Sequence, residues 1–160
     1  MNEEAKKIAA LNGTWFGAGL SPETQARLAS LAKCQDIEAG TEVLREGEVT
    51  SELGVLITGR MALRTLVPER GMVTILTVEP GDVFGWSAIV PPNRASSTVV
   101  AIEDCGALVF EGDELRALLK SDHALAATIY PRVLQVVSRR LSATRLQLLD
   151  LFSREQVQSW

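Results

Sequence analysis

Between Asp82 and Val100 the chain reads DVFGWSAIVPPNRASSTVV, and Arg94 is the one cation in this stretch. Small residues, prolines and apolar side chains surround it, a setting in which a guanidinium meets an anion. Ser96 and Ser97 add hydroxyl donors beside it. Upstream, Gly85 allows an unusual backbone conformation, and WSAIV after it can close one helical turn before Pro91 and Pro92 stop it. The free amides that open such a turn also attract negative charge. Two readings of Arg94 follow from the residues: it holds a phosphate together with those amides, or it pairs with a surface carboxylate. Catalytic material is missing. The one histidine, His123, has no nucleophile or acid placed with it, Cys34 and Cys105 stand far apart without a CxxC pair, and there is no HExxH. The chain is therefore read as a binding protein, neither an enzyme nor a metal site.

The elements that must position Arg94 come in the order helices, strands, helices. Asn2 to Leu11 has the spacing of a short amphipathic helix. In LSPETQARLASLA, Ser21 is a natural N-cap, Pro22 suits the first helical position, and Leu28 and Leu31 give a stripe. Trp15 and Phe16 are expected to pack this pair onto the next layer. From Gln35 short apolar runs are cut by turn residues at Gly40, Gly47, Gly59, Gly71 and the EPGD run. After Gly59 they alternate, with Met61, Leu63 and Thr65 on one side and Arg60, Ala62 and Arg64 on the other. Val99 to Ile102 and Ala107 to Phe110 supply two further strands. This texture predicts an antiparallel β-roll of about eight short strands. A helix over Asp113–Leu119 should follow, then a long one from His123 to about Phe152, bent or restarted at Pro131. The fold class is α+β: one domain over 1–160, with N-terminal helices at 1–34, the roll at 35–111 and C-terminal helices at 112–160.

Composition narrows the function. The chain has 160 residues, 46% hydrophobic and 22% charged, and a formal charge of −4. That balance argues against a surface that binds nucleic acid throughout. With no secretory leader and no apolar run long enough to span a bilayer, the reading is a cytoplasmic protein with reduced thiols and no membrane contact.

GTEVLREGE, LGVLITGRMAL, VEPGDVFGWSAIV and RASSTVVA occur in the order, and nearly the spacing, of a cyclic-nucleotide-binding domain. The chain thus resembles the effector domain of the catabolite-activator and fumarate/nitrate-regulator superfamily over about Leu20 to Leu149. The resemblance implies a phosphate-binding cassette in which an arginine and turn amides hold a cyclic phosphate and a glutamate holds the ribose hydroxyl. On that pattern the ligand-binding positions are Phe84, Gly85, Trp86, Ser87, Ala88, Arg94, Ala95 and Ser96, with cAMP or cGMP as the implied effector. VSRRLSATRL resembles the family's central helix, which implies that Thr144 faces the purine with Arg140 nearby. Trp86 departs from the pattern because it stands where the glutamate belongs, and the stretch before Arg94 is about a residue short. Losing that carboxylate removes a charged hydrogen-bond partner of about 1.5–3 kcal/mol. The indole could stack on a flat ligand or plug the pocket.

Apart from the resemblance, Arg139, Arg140 and Arg145 read as a solvated helix face and His123 as an exposed or capping residue. Leu125, Ile129, Val133, Val137, Leu141, Leu148 and Phe152 mark a stripe that suits a homodimer seam, with Val133, Val137 and Leu141 in it, the alternative being packing within the chain. Eight residues follow Phe152, so the resemblance implies an effector domain without its DNA-reading module and without direct DNA binding. The expected function is a regulatory module that binds a cyclic nucleotide or related phosphate ligand and signals through the long helix. The alternative is a scaffold or dimerisation module that has kept the roll and lost the ligand.

Overall fold

The computed structural model describes residues 2–158, and the side chains up to Glu155; residues 1, 159 and 160, which the sequence reading placed in the terminal regions, lie outside them. Two helices, α1 (Glu3–Asn12) and α2 (Pro22–Leu31), open the chain. Asn2 and Ser21 cap them by accepting hydrogen bonds from the amides of Ala5 (2.8 Å) and Thr24 (3.2 Å). Eight strands follow: β1 (Lys33–Ile37), β2 (Glu42–Leu44), β3 (Glu52–Thr58), β4 (Met61–Val67), β5 (Gly71–Val78), β6 (Val83–Phe84), β7 (Thr98–Ala101) and β8 (Cys105–Glu111). A single 3-10 turn, Trp86–Ala88, lies between β6 and β7, and α3 (Gly112–Ser121) and α4 (His123–Gln158) complete the order. The strands form two antiparallel sheets, ordered β1-β8-β3-β6 and β2-β7-β4-β5. This is the expected α+β roll between flanking helices.

Why LGVLI and ALVF are continuously apolar follows from the layers. The first sheet is covered on both faces, so both sets of alternate side chains are buried. Leu53, Val55, Val83, Leu108 and Phe110 point to the helices and meet Phe16, Leu28, Leu115, Leu125 and Ile129. Leu56, Phe84, Ala107 and Val109 point the other way and meet Met61, Leu63, Val78 and Val99 of the second sheet. Phe84 lies directly across from Gly54, so its ring occupies the space a side chain at position 54 would need.

Two expectations about the last helix are corrected. α4 runs through Pro131 without interruption. Pro131 and Ala127, whose carbonyl loses its donor four residues on, are both exposed, so water can take that carbonyl. The stripe also divides. Leu125, Ile129 and Val133 are buried in the domain's own core and Val137 packs partly against it, so neither valine belongs to an outer seam, whereas Leu141, Leu148 and Phe152 face outward, as does Leu134. Each four-residue step overshoots a 3.6-residue turn by about 40°, so a run of such steps crosses to the opposite face. Val133 is therefore a core residue and not part of an outer seam.

Candidate anion-binding site

β6 delivers the chain to Gly85, which has φ 70°, in the left-handed region. A Cβ there would lie 2.4 Å from the Glu52 carbonyl oxygen, so both conformation and space demand glycine. The turn that follows is closed by Ala88 N donating to Gly85 O (3.0 Å) and Ile89 N to Trp86 O (3.1 Å). The amides of Trp86 and Ser87 have no acceptor within the turn. At its far end, Asn93 Nδ2 donates to the carbonyls of Ser87 (2.8 Å) and Ala88 (3.2 Å), and the Arg116 guanidinium also donates to Ala88. The turn is clamped by its carbonyls and leaves its opening amides free.

Arg94 belongs to a short ladder that the sequence did not reveal. Thr50 N donates to Asn93 O (2.8 Å), Gly47 N to Ala95 O (2.8 Å) and Ala95 N to Glu48 O (2.9 Å), with Val49 bridged to Arg94. The exposed Arg94 side chain donates to Gly47 O at 2.9 Å. Among the described residues it makes no ion pair with a carboxylate, so a backbone carbonyl, and not the surface carboxylate of the alternative reading, orients it. In the sequence Gly47 showed as a turn residue, and nothing local linked that turn to Arg94.

Gly85, Trp86, Ser87, Ala95, Ser96 and Arg140 converge on one cavity, completed by Leu63, Ser97 and Val99 among others. Arg94 does not line it, although it is adjacent in sequence to Ala95. Phe84, Ala88 and Thr144, which the resemblance assigned to ligand binding, do not line it. Phe84 fills the space between the sheets, Ala88 packs under the helices, and Thr144 donates its hydroxyl to Arg140 O at 2.8 Å within α4. The cavity measures about 10 Å³, room for roughly one water. Trp86 is half-buried, packed partly against the helix-side core.

Arg140 is not on a solvated face. Its guanidinium donates to Val83 O, and burial pulls its pKa down to about 10 despite the opposing field of Asp82. The Asp82 carboxylate is bridged at 3.1 Å to Arg139, whose guanidinium also lies 5.0 Å from the centre of the Trp15 ring. Trp15 thus serves as a surface platform, while Phe16 is the buried member of that pair. The Arg132 guanidinium donates to Phe16 O, and Arg70 on the β4–β5 turn pairs with Glu155 at 2.6 Å. α4 is consequently held along the roll by a series of arginines.

A larger cavity, about 270 Å³, lies beside β2 and shares Phe84 and Ala95 with the turn region. Its rim carries Glu42, Glu48 and Glu52, and its one arginine, Arg45, pairs with Glu42 (2.7 Å) and Glu48 (3.7 Å). That surplus of negative charge repels a phosphate, so volume alone does not select it as the anion site.

Residues 34–122 match the family model for the cyclic nucleotide-binding domain. The chain is 30% identical over 134 residues to the CRP-like cAMP-activated global transcriptional regulator of Mycobacterium tuberculosis, covering 83% of this chain and 58% of that protein. It spans less than two thirds of that relative's length. A cyclic nucleotide-binding domain of Methylobacillus flagellatus superposes with a TM-score of 0.77 at 22% identity, covering 92% of this chain and 83% of that one. A putative cyclic nucleotide-binding protein of Geobacter metallireducens gives 0.74 at 23% identity, covering 88% and 99%. These two likenesses concern the fold. Among the described residues no helix is long and apolar enough to cross a membrane.

Proposed function

The chain belongs to the cyclic nucleotide-binding domain family, and on that footing we propose that it is a regulatory module, not a catalyst, which binds a cyclic nucleotide or related phosphate ligand at the Gly85–Arg94 turn. The observation that carries this reading is the convergence of the opening of the turn, Ser96 and Arg140 on a single cavity, with Arg94 next in the chain to its lining residue Ala95. These are donors suited to an anion, and among the described residues no carboxylate lines the cavity. The phosphate is taken by the Arg94 fork and the Trp86 and Ser87 amides, while the Trp86 indole offers a face for a base.

Binding is coupled to α4 by size. Ligand pockets run to about 300 Å³ or more, against about 10 Å³ here. A nucleotide enters only if the wall that carries Arg140 moves, which strains Arg140 to Val83 O and Arg139 to Asp82 together. The position of α4 then reports occupancy. Its outward leucines, Leu134, Leu141 and Leu148, repeat every seven residues and form the seam of a homodimer. A second reading, a dimerising scaffold that has lost its ligand, is favoured by the small cavity and by Trp86 in its wall.

Calorimetric titration of the protein and of Arg94→Ala with cAMP and cGMP separates these readings. Arg94 is exposed and has one neutral acceptor, so the variant should melt within a few degrees of the unmodified chain. Its affinity should fall at least tenfold, because charge-assisted bonds of about 1.5–3 kcal/mol are lost. No heat from either nucleotide at millimolar concentration, with a strongly destabilised variant, would establish the scaffold.

A further inference from the structure

The cavity beside β2 repels an anion, and its lining suits the opposite charge. Its volume, about 270 Å³, approaches the roughly 300 Å³ at which small-molecule pockets begin. Ile37 and Phe84, from the core between the sheets, and Leu44, packed against that core, give it apolar walls. Glu42, Glu48 and Glu52 also line it, with Arg45 as the one cation among its described residues. Arg45 is shared between Glu42 at 2.7 Å and Glu48 at 3.7 Å, so one guanidinium faces three carboxylates. Among the described residues Glu52 makes no ion pair. It stands directly across from Glu111 in the β3–β8 ladder, and like charges so placed lower stability. Glu111 has a use within the fold, because its carboxylate accepts from Glu114 N at 2.9 Å and caps α3. Glu52, half-buried in the cavity wall, has no such use to offset that repulsion.

We propose that this cavity binds a small organic cation, an ammonium group on an apolar body. The body lies against Ile37, Leu44 and Phe84, and the ammonium is met by Glu52 and Glu48. Arg45 competes with it for Glu48 through the longer of its two contacts. A bare metal ion is a poorer fit. Among the described residues no three His, Cys, Asp or Glu groups are placed to hold one, whereas attraction of an ammonium to spaced carboxylates needs no coordination shell. Nothing in this assignment requires an anion at the Gly85–Arg94 turn.

The test is an NMR titration of the isotope-labelled full chain with n-hexylamine, 1-hexanol and hexanoate, one apolar body under three head groups. Hexylamine should bind about fivefold tighter than hexanol, and hexanoate more weakly than either. The amide shifts should concentrate at residues 42–52. In about 1 M salt, where the screening length falls to about 3 Å, hexylamine should weaken several-fold and hexanol should not. The double variant Glu48→Gln, Glu52→Gln should lose the preference for hexylamine. Arg45→Gln, which frees Glu42 and Glu48, should instead tighten hexylamine several-fold. If the double variant does not fold, Arg45→Gln and the salt series on the unmodified chain decide. No shifts with millimolar hexylamine, shifts centred elsewhere, equal binding of hexylamine and hexanol, or a preference that survives the double variant overturns the proposal.

Discussion

Gly54→Ala probes the packing that aims the turn. Gly54 and Phe84 face each other across β3 and β6, and Phe84 directly precedes Gly85. An added methyl at position 54 would lie 2.0 Å from Phe84 Cζ and 2.4 and 2.5 Å from the two Cε atoms. Carbon atoms in contact normally sit about 3.5–4.0 Å apart, so the ring or the strand has to move. Phe84 is 3% exposed within the layer between the sheets, which leaves the ring little room. Overpacking of this kind costs about 1–3 kcal/mol. The alanine recovers roughly 0.5–1 kcal/mol of strand-backbone entropy. Taking the upper part of the first range, the net loss is about 2 kcal/mol. At about 2–4 °C per kcal/mol for a chain of this size, Tm should fall by roughly 4–8 °C. Thermal melts followed by circular dichroism measure it. Phe84→Leu, which withdraws the ring edge, should partly rescue Gly54→Ala, so that the double variant loses less than the sum of the singles by about 1 kcal/mol. A Tm unchanged in Gly54→Ala, or strictly additive losses, would refute the claim that the ring is seated on Gly54.

Leu141 is 70% exposed on the outward face of α4, so Leu141→Glu should leave Tm nearly unchanged while converting a micromolar dimer to monomer in sedimentation; an unmodified chain that is already monomeric at that concentration removes the seam. Asp122 accepts from Leu125 N at 2.9 Å, and this bond, with help from Arg27, holds its carboxyl below the usual range. Because the folded pKa is the lower one, its stabilising effect is present above the unfolded value of about 3.9 and is lost as pH falls through the folded value. Asp122→Ala should accordingly melt below the unmodified chain at pH 6 and converge with it toward pH 3.

The roll was legible because its signals are local. Glycines at 40, 47, 59, 71, 81 and 85 all adopt positive φ in the structure, and each interrupts an apolar run. The turn after β6 and its arginine stood out in the sequence, through FG, RAS and the isolated cation. Its support did not. The ladder from Gly47 to Thr50 against Asn93 to Ala95 joins segments more than forty residues apart, and carries no pattern of its own. Phe84 shows the opposite limit: a motif position assigned to the ligand is a core residue, because strand alternation turns its ring between the sheets while Val83 faces the helices.

α4 shows most plainly how one helix carries two messages. Its inward positions run Leu125, Ile129, Val133, Val136, and the next inward position is Arg140. Packing alone would place another aliphatic side chain there, as the preceding turns do. A guanidinium at that step gives up apolar burial and must be desolvated, and its lowered pKa records that cost. A departure from the local apolar pattern is the kind of inconsistency found at functional sites, although here the guanidinium also has a structural partner in Val83 O. It falls where α4 crosses the turn, one residue after the Arg139–Asp82 bridge that fastens the helix to the segment leading into β6. An anion arriving at Arg140 would therefore act on the helix beside one of its points of attachment and directly before the outward Leu141.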